Sequence, residues 1–361
     1  MPHIRAMKAE DYAAAAAVLQ RNGLAAMSRE DYLHLWEVNS FQEPGAPRGW
    51  VLEESGRGVV GTFSNLHLPY EWNQTPIRVG TGFAWAVDPE YRRHAIGMLR
   101  RWTRQPNLDL LLTSTASERV GEILSALRFR PVPHPAYDQA LYWVTNERGF
   151  AASALRQAGA PRPDWLSYPA APLLRVLGWL RERRAPREER PDVLRLTDFD
   201  GRFDAFWMKL RQTPNRLLAV RSPDVLSWHF KRARDDGGME VLSLEEPGGL
   251  TGYLVMIRQD HETIGLTRYR VADLQVLGDS QSRVRALVAG ALRRAAEQGI
   301  HVVEVVGLSA CKREALSALS PLRRKMPSWL FYYRAADQWL ATALEADSAW
   351  DPSPFDGDAS L

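Results

Sequence analysis

The chain is almost without cysteine. Cys311 is the one thiol in 361 residues, which excludes an internal disulfide and any zinc site built from a cysteine cage. Cys311 therefore reads as a structural residue. The eight histidines are scattered without ligand spacing, so no metal centre is expected. No apolar run approaches the roughly 20 residues that cross a bilayer. The opening MPHIRAMKAEDYAAAAAVL lacks the arrangement of a secretory signal, and a cytoplasmic protein is the expectation. Charge of one sign is also scarce. The formal net charge is +3, and the basic residues are thinly spread except in RVLGWLRERRAPREER at 175–190. That balance argues against generic nucleic-acid binding but leaves an anionic small ligand open.

What the chain does have is length and internal likeness. A chain of 361 residues is long enough for two domains. Compared with itself at an offset of roughly 190 residues, it repeats a series of landmarks in one order. SREDYLHLW at 28–36 resembles SPDVLSWHF at 222–230, each an aromatic-rich helical segment behind a serine placed to cap it. WVLEESGRGVVGTFSNL at 50–66 resembles EVLSLEEPGGLTGYLVM at 240–256, and both read as a β-hairpin with a glycine-containing turn. The strands FAWAV at 83–87 and ADLQV at 272–276 each lead into a basic segment and an amphipathic helix. LSAL recurs at 124–127 and 316–319, and LYWV at 141–144 matches LFYY at 330–333 as a closing strand. Hairpins and helices in this order predict an α+β fold with a mixed, mostly antiparallel twisted sheet flanked by helices in each half.

The expected organisation is a first domain over 1–148, a linker over 149–192, a second domain over 193–338 and a tail over 339–361. Pro161, Pro163, Pro169, Pro172, Pro186 and Pro191 mark the linker. Within it, Leu173, Leu174, Val176, Leu177 and Leu180 form an apolar stripe beside several arginines. The stripe fits a helix packed across the two domains. A peripheral membrane contact through 173–184 is the other reading.

One stretch, VDPEYRRHAIGMLRRW at 87–102, carries chemical information. A helix N-terminus offers unpaired amides and a partial positive charge, and small residues beside it let an anion approach closely. Ala95 and Gly97 are small, and Arg92, Arg93 and His94 add positive character. The stretch resembles motif A of the GNAT acyltransferase superfamily, V-x-P-x-Y-R-x-x-G-x-G, matched here by Val87, Pro89, Tyr91, Arg92, Ile96 and Gly97, with Ala95 in place of one glycine. The resemblance covers roughly residues 3–145. It implies two GNAT-like domains and an acyl-CoA co-substrate, acetyl-CoA or another. The coenzyme would be held by Val87, Arg92, Arg93, His94, Ala95, Ile96, Gly97 and Met98, with Ser117 at the position of the family's usual asparagine. The chain is also similar to tandem GNAT proteins of bacterial polysaccharide assembly, which implies an amino-sugar acceptor.

In such a transferase a primary amine attacks a thioester, so a base and an acid are needed. Aligned on SERVGEILSALRF, the position of the family's acidic tyrosine is Leu124. Thr81, Phe83 and Trp85, expected on one face of the fourth strand, include no carboxylate. Substitutes are sought in the 28–40 segment and in the loop after the hairpin, where Glu37, Asn39, His67 and Glu71 are the polar candidates. His67 leads because its ordinary pKa suits proton transfer at neutral pH, with Glu37 second. The apolar floor is expected from Phe83, Trp85, Tyr70 and Trp72. In the second half the corresponding loop, VLGDSQSRVRAL, places Asp279 where phosphates would sit, so that half is expected to bind coenzyme A poorly. Two alternatives stand beside the N-acyltransferase: an inactive binding or regulatory protein of the same fold, and an aminoacyl-tRNA-dependent transferase.

Overall fold

The computed structural model describes residues 1–168, Pro172 and 192–361. The stripe at 173–184 lies outside the described residues. The first sheet is built from β1 (His3–Ala6), β2 (Gly49–Glu54), β3 (Gly58–Trp72), β4 (Thr75–Val87), β5 (Leu110–Ala116) and β6 (Arg130–Pro131). Every neighbouring pair is antiparallel except β4 and β5. The β2–β3 hairpin lies where glycine-flanked alternation places it. The segment after it is not a loop, however, because β3 and β4 continue as the long arms of a second hairpin. Asn73 and Gln74 turn it with φ of 49° and 66°, the backbone of a tight two-residue turn that usually announces itself with glycine.

Helices α1 (Tyr12–Arg21) and α2 (Arg29–Glu37) cover one face of this sheet, and α3 (Ala95–Trp102) and α4 (Glu118–Ala126) cover the other. Ser28 caps α2 by accepting the Asp31 amide at 3.0 Å, satisfying one of the orphan donors of that helix end. Met98, Leu99 and Trp102 recur at helical spacing and put the buried side of α3 onto Trp50, Leu52 and Phe63.

The second sheet runs through β8 (Val193–Leu196), β10 (Met239–Glu246), β11 (Gly249–Arg258), β12 (Arg268–Val276) and β13 (Val302–Val305), and β12 and β13 are its parallel pair. Here the two halves exchange strands. β7 (Gln139–Val144) does not close the first sheet but pairs with β13 and with β14 (Leu322–Lys325) of the second. Reciprocally, β15 (Leu330–Ala335) inserts between β5 and β6. The short β9 (Leu217–Ala219) adds to the far end of β3, another link from the second half to the first. Both sheets are mixed and mostly antiparallel, which makes the fold α+β.

Behind α5 (Glu147–Gln157), the second half carries α6 (Gly201–Leu210), α7 (Pro223–His229), α8 (Lys231–Asp235), α9 (Gln281–Glu297), α10 (Ala310–Ser317) and α11 (Gln338–Ala343). Ser222 precedes α7 as Ser28 precedes α2 but makes no capping bond. One core is continuous between the halves: Tyr32, Trp36 and Phe83 of the first join Phe203, Phe206 and Tyr253 of the second. Cys311 lies exposed on α10. Among the described residues, no helix is long and apolar enough to cross a membrane.

The chain end is a structural element, not a loose tail. Trp350 and Phe355 sit in the shared core, and the Phe355 amide donates to the Ala272 carbonyl at 2.9 Å. Arg221 lies beneath this segment with no exposed side-chain surface. It bonds Asp273 at 2.9 and 3.2 Å and Asp356 at 3.0 Å. His229 packs alongside, its Nε2 at 2.8 Å from Ser360 Oγ, and burial pushes its pKa down to about 3. The unfolded chain, with an ordinary histidine near 6.5, takes up a proton that the native state refuses. This contribution to stability is therefore whole above the unfolded pKa and is lost on acidification. His67, His134 and His301 are shifted in the same direction, each first by burial. Urea unfolding at pH 5 is expected to show His229 alone costing about 2 kcal/mol relative to pH 7.5. A His229→Gln variant should lose that part of the pH dependence.

Candidate active site

β4 and β5 are paired only where Val79–Thr81 faces Leu110–Leu112, and both strands continue beyond that point. The divergence coincides with a β-bulge in β4: Ser64 faces Phe83 and Thr62 faces Ala86, so Ala84 and Trp85 together oppose Phe63. Ala84 has φ 49°, a conformation that costs a residue with a Cβ about 1–3 kcal/mol. The extra residue reverses the alternation of side chains. Phe83 stacks on Trp36 beneath α2, whereas Trp85 packs edge-on to Phe63 on the α3 side. The two rings are thus on opposite faces and not on one, as simple alternation implied.

A cavity of about 460 Å³ occupies the gap between the strands, within the range of small-molecule sites. It is reached from both faces: Ala15, Ala16 and Leu19 of α1 line it on one side, and Leu99, Trp102 and Val120 line it on the other. The strands themselves contribute Gly82–Trp85 and, from β5, Thr113, Thr115 and Ala116. From Gly82 onward the β4 edge that faces β5 has no strand partner, so its amides and carbonyls are available to a bound chain.

The carboxylate in this cavity was not among the expected residues. Asp358 lines it from the chain end. Its two oxygens accept the hydroxyls of Ser114 and Thr115, each at 2.7 Å, and its own amide donates to Ser114 Oγ at 3.2 Å. Gly357, at φ 155°, lets the chain pass so close to Ser114 that an added Cβ would collide with its Oγ. Burial pushes the Asp358 carboxyl up, and the two hydroxyl bonds pull it partly back. A carboxylate of that kind takes up a proton more readily than an ordinary aspartate.

The residues expected from sequence fall into two groups. Ser117 lines the cavity, although its Oγ also caps α4 by accepting the Val120 amide at 3.4 Å. Leu124, Phe83 and Trp85 line it too. His67 and Glu37 do not. His67 is buried on β3 near Glu43 with Nε2 unpartnered, its pKa lowered first by burial. Glu37 ends α2 and faces Arg48 at 3.6 Å across its exposed side chain. Asn39 bonds the His67 carbonyl at 2.9 Å, and Glu71 is held by Arg211 at 2.7 and 2.8 Å. Tyr70 bonds Asp356 at 3.4 Å, and Trp72 faces β9, so both leave the floor.

Val87 is buried at the end of β4, and residues 89–94 form a 3-10 helix that runs into α3. The amides of Tyr91 and Ala95 are spent on the carbonyls of Asp88 and Arg92. The segment before α3 is therefore helical from Pro89 onward. Arg92 and Arg93 are exposed, with no acid partner among the described residues. Ala95, Ile96, Gly97 and Met98 form the first turn of α3, and Arg93 Nε donates to His94 Nε2 at 3.1 Å.

In the second half the same parting of strands is filled. Lys312 extends from α10 and donates to the Leu274 carbonyl at 2.6 Å, Gln275 Oε1 at 3.2 Å and Asp351 at 2.8 Å. The void beside it measures about 10 Å³. Asp279 is not a free turn residue but pairs with Arg216 through two 2.8 Å bonds.

No protein-family model matches the sequence, and no curated protein matches it significantly. Solved structures do. A GCN5-related N-acetyltransferase from Anabaena variabilis ATCC 29413 aligns over 93% of this chain and 73% of its own, with TM-score 0.56 and 11% identity. The fold is that of the GCN5-related N-acetyltransferases. A second such protein, from Kribbella flavida, aligns over 95% of this chain and 72% of its own, with TM-score 0.53 and 17% identity. Saccharomyces cerevisiae N-myristoyltransferase with bound myristoyl-CoA aligns over 92% and 79%, with TM-score 0.54 and 11% identity. At these identities the shared property is the GNAT fold.

Proposed function

We propose that the protein is an acyl-CoA-dependent N-acyltransferase acting on a primary amine, with one working cleft, in the first sheet. The observation that carries this reading is the cavity at the β4–β5 parting with the Asp358 carboxylate inside it. In a GNAT fold that gap admits the pantetheine arm, and the unpaired edge of β4 from Gly82 onward offers it backbone hydrogen bonds. The amine enters from the α1 side as an ammonium. Asp358 accepts its proton, the nitrogen attacks the thioester carbonyl, the C–N bond forms and the C–S bond breaks. The proton held by the carboxyl is then returned to the departing thiolate, and the new amide nitrogen releases its second extra proton to solvent, so that one ammonium and one thioester give one neutral amide, one thiol and one proton. Leu124 stands where the family has its acidic tyrosine, so one group serves both steps. The filled parting in the second half, closed by Lys312, supports a single site.

The diphosphate is assigned to the start of α3, next to Arg92, Arg93 and His94, with Ser117 at the inner end of the cleft. Calorimetric titration with acetyl-CoA is expected to give one site per chain. No binding at millimolar ligand would end this reading. At Gly97 an added Cβ meets only the tip of Ile4, so Gly97→Glu should fold. It is nevertheless expected to weaken acetyl-CoA at least about tenfold, by bringing a carboxylate to the phosphates. Unchanged affinity in a folded variant would place the phosphates elsewhere. The amino-sugar acceptor implied by the sequence resemblance is one candidate within the amine class.

A further inference from the structure

The charges around the cavity restrict which amine it takes. Among the described residues, Asp358 is the sole charged side chain lining it. The acceptor side is mostly apolar, with Ala15, Ala16, Leu19, Met27 and Phe83, and carries the hydroxyls of Tyr12, Tyr32, Thr62 and Ser64. The two tyrosine hydroxyls are already engaged: Tyr12 donates to the Met27 carbonyl at 2.6 Å, and Tyr32 donates to the Met7 sulfur. Neither Arg21 nor Arg48 lines the cavity. Arg21, at the end of α1, is committed to Asp88 at 2.6 and 2.7 Å, and Arg48 faces Glu37 at 3.6 Å with its Nη1 unpartnered.

Resting on the transferase reading above, we infer that the acceptor is a monocationic amine with a neutral, largely apolar body, and that amines also bearing a carboxylate or phosphate are excluded. An ammonium entering this cavity exchanges water for the Asp358 carboxylate, so its charge is paired. A second, anionic group on the same molecule finds no arginine or lysine in the lining. It would lie buried and unpaired close to Asp358, and both effects oppose binding. The alanines of α1 leave room for a hydrocarbon or ring, whose transfer from water is favourable. A sugar ring would bring several hydroxyls to a mostly apolar wall whose side-chain hydroxyls, such as those of Thr62 and Ser64, are few.

The test uses the full-length protein and three matched pairs: butylamine and norvaline, phenethylamine and phenylalanine, tryptamine and tryptophan, with glucosamine as a polar, uncharged-bodied control. Binding is measured by calorimetry, and thiol release with acetyl-CoA is measured in parallel. At least one decarboxylated amine is expected to bind about 100-fold more tightly than its amino-acid partner, and more tightly than glucosamine. Equal or reversed affinities within the pairs, a preference for glucosamine, or no binding by any of the amines would each overturn the inference. Amine binding with that preference but without thiol release supports the inference and overturns the transferase reading instead.

Discussion

Asp358→Asn is expected to lower kcat/KM for acyl transfer by about 10²- to 10⁴-fold, the usual contribution of a positioned acid or base, while acetyl-CoA still binds. The isosteric amide keeps an oxygen to accept from either Ser114 or Thr115 but cannot take the proton of the attacking ammonium. Two readouts separate loss of the base from loss of structure. Calorimetry should give coenzyme affinity within a few-fold of the parent. The pH profile should also change. In the parent, burial raises the carboxyl pKa, so the active ionised form is depleted as pH falls through that raised value and activity declines on the acid side. The variant has no such group and its residual rate should lack that limb. An Asp358→Asn protein with undiminished kcat/KM would remove Asp358 from the mechanism. Stability should not fall at neutral pH, because a buried carboxyl whose pKa is raised opposes folding in its ionised form.

The second large effect is expected from Arg221→Met. The guanidinium is shared by Asp273 and Asp356 in a wholly buried site, with Ser353 bonding both acids at 2.8 and 3.1 Å and Tyr253 bonding Asp273 at 2.6 Å. Deleting the cation leaves two carboxylates without their counter-charge, and breaking such a pair typically costs about 3–5 kcal/mol. The pH dependence of this loss has a definite sign. Burial raises both carboxyls, and in the parent Arg221 overrides this at Asp273, which is held below the usual range. Without Arg221 the native state binds protons that the unfolded chain releases above about pH 4, so the penalty is full at neutral pH and shrinks on acidification. That trend is opposite to the histidine effect at His229. Urea unfolding at pH 7.5 and pH 5 should therefore show parent and variant converging. Combining Arg221→Met with Asp273→Asn and Asp356→Asn should recover much of the loss, since removing all partners strands no charge. If Arg221→Met alone is as stable as the parent at pH 7.5, the network is not what anchors the chain end.

Local chemistry explains what the sequence disclosed. The β2–β3 and β10–β11 hairpins were legible because each combines alternating apolar residues with glycine at the turn. The helix at 95–102 was legible from the spacing of Met98, Leu99 and Trp102. The β3–β4 hairpin was not, since Asn73 and Gln74 take positive φ without a glycine to signal it. The bulge was hidden for the same reason, because an alanine occupies it. Strand exchange leaves no local trace: QALYWV and LFYYRA are near-equivalent apolar strands, and either suits either sheet. Asp358 was missed because DPSPFDGDASL has the composition of a solvated tail. Its burial depends on Arg221, Ser114 and Thr115, all remote in sequence.

The exchange of β7 and β15 has a consequence for how the protein is made. As the chain leaves the ribosome, β5 emerges with the apolar run LDLLLT but without its neighbour β15, which follows roughly 200 residues later, on the order of 10–40 s at ordinary synthesis rates. Through that interval the edge of β5 is an open template for pairing with another nascent chain. β7 likewise waits for β13. Neither sheet can be sealed until translation is nearly finished, so a gene cut between the halves would yield two fragments, each carrying the other's missing strand.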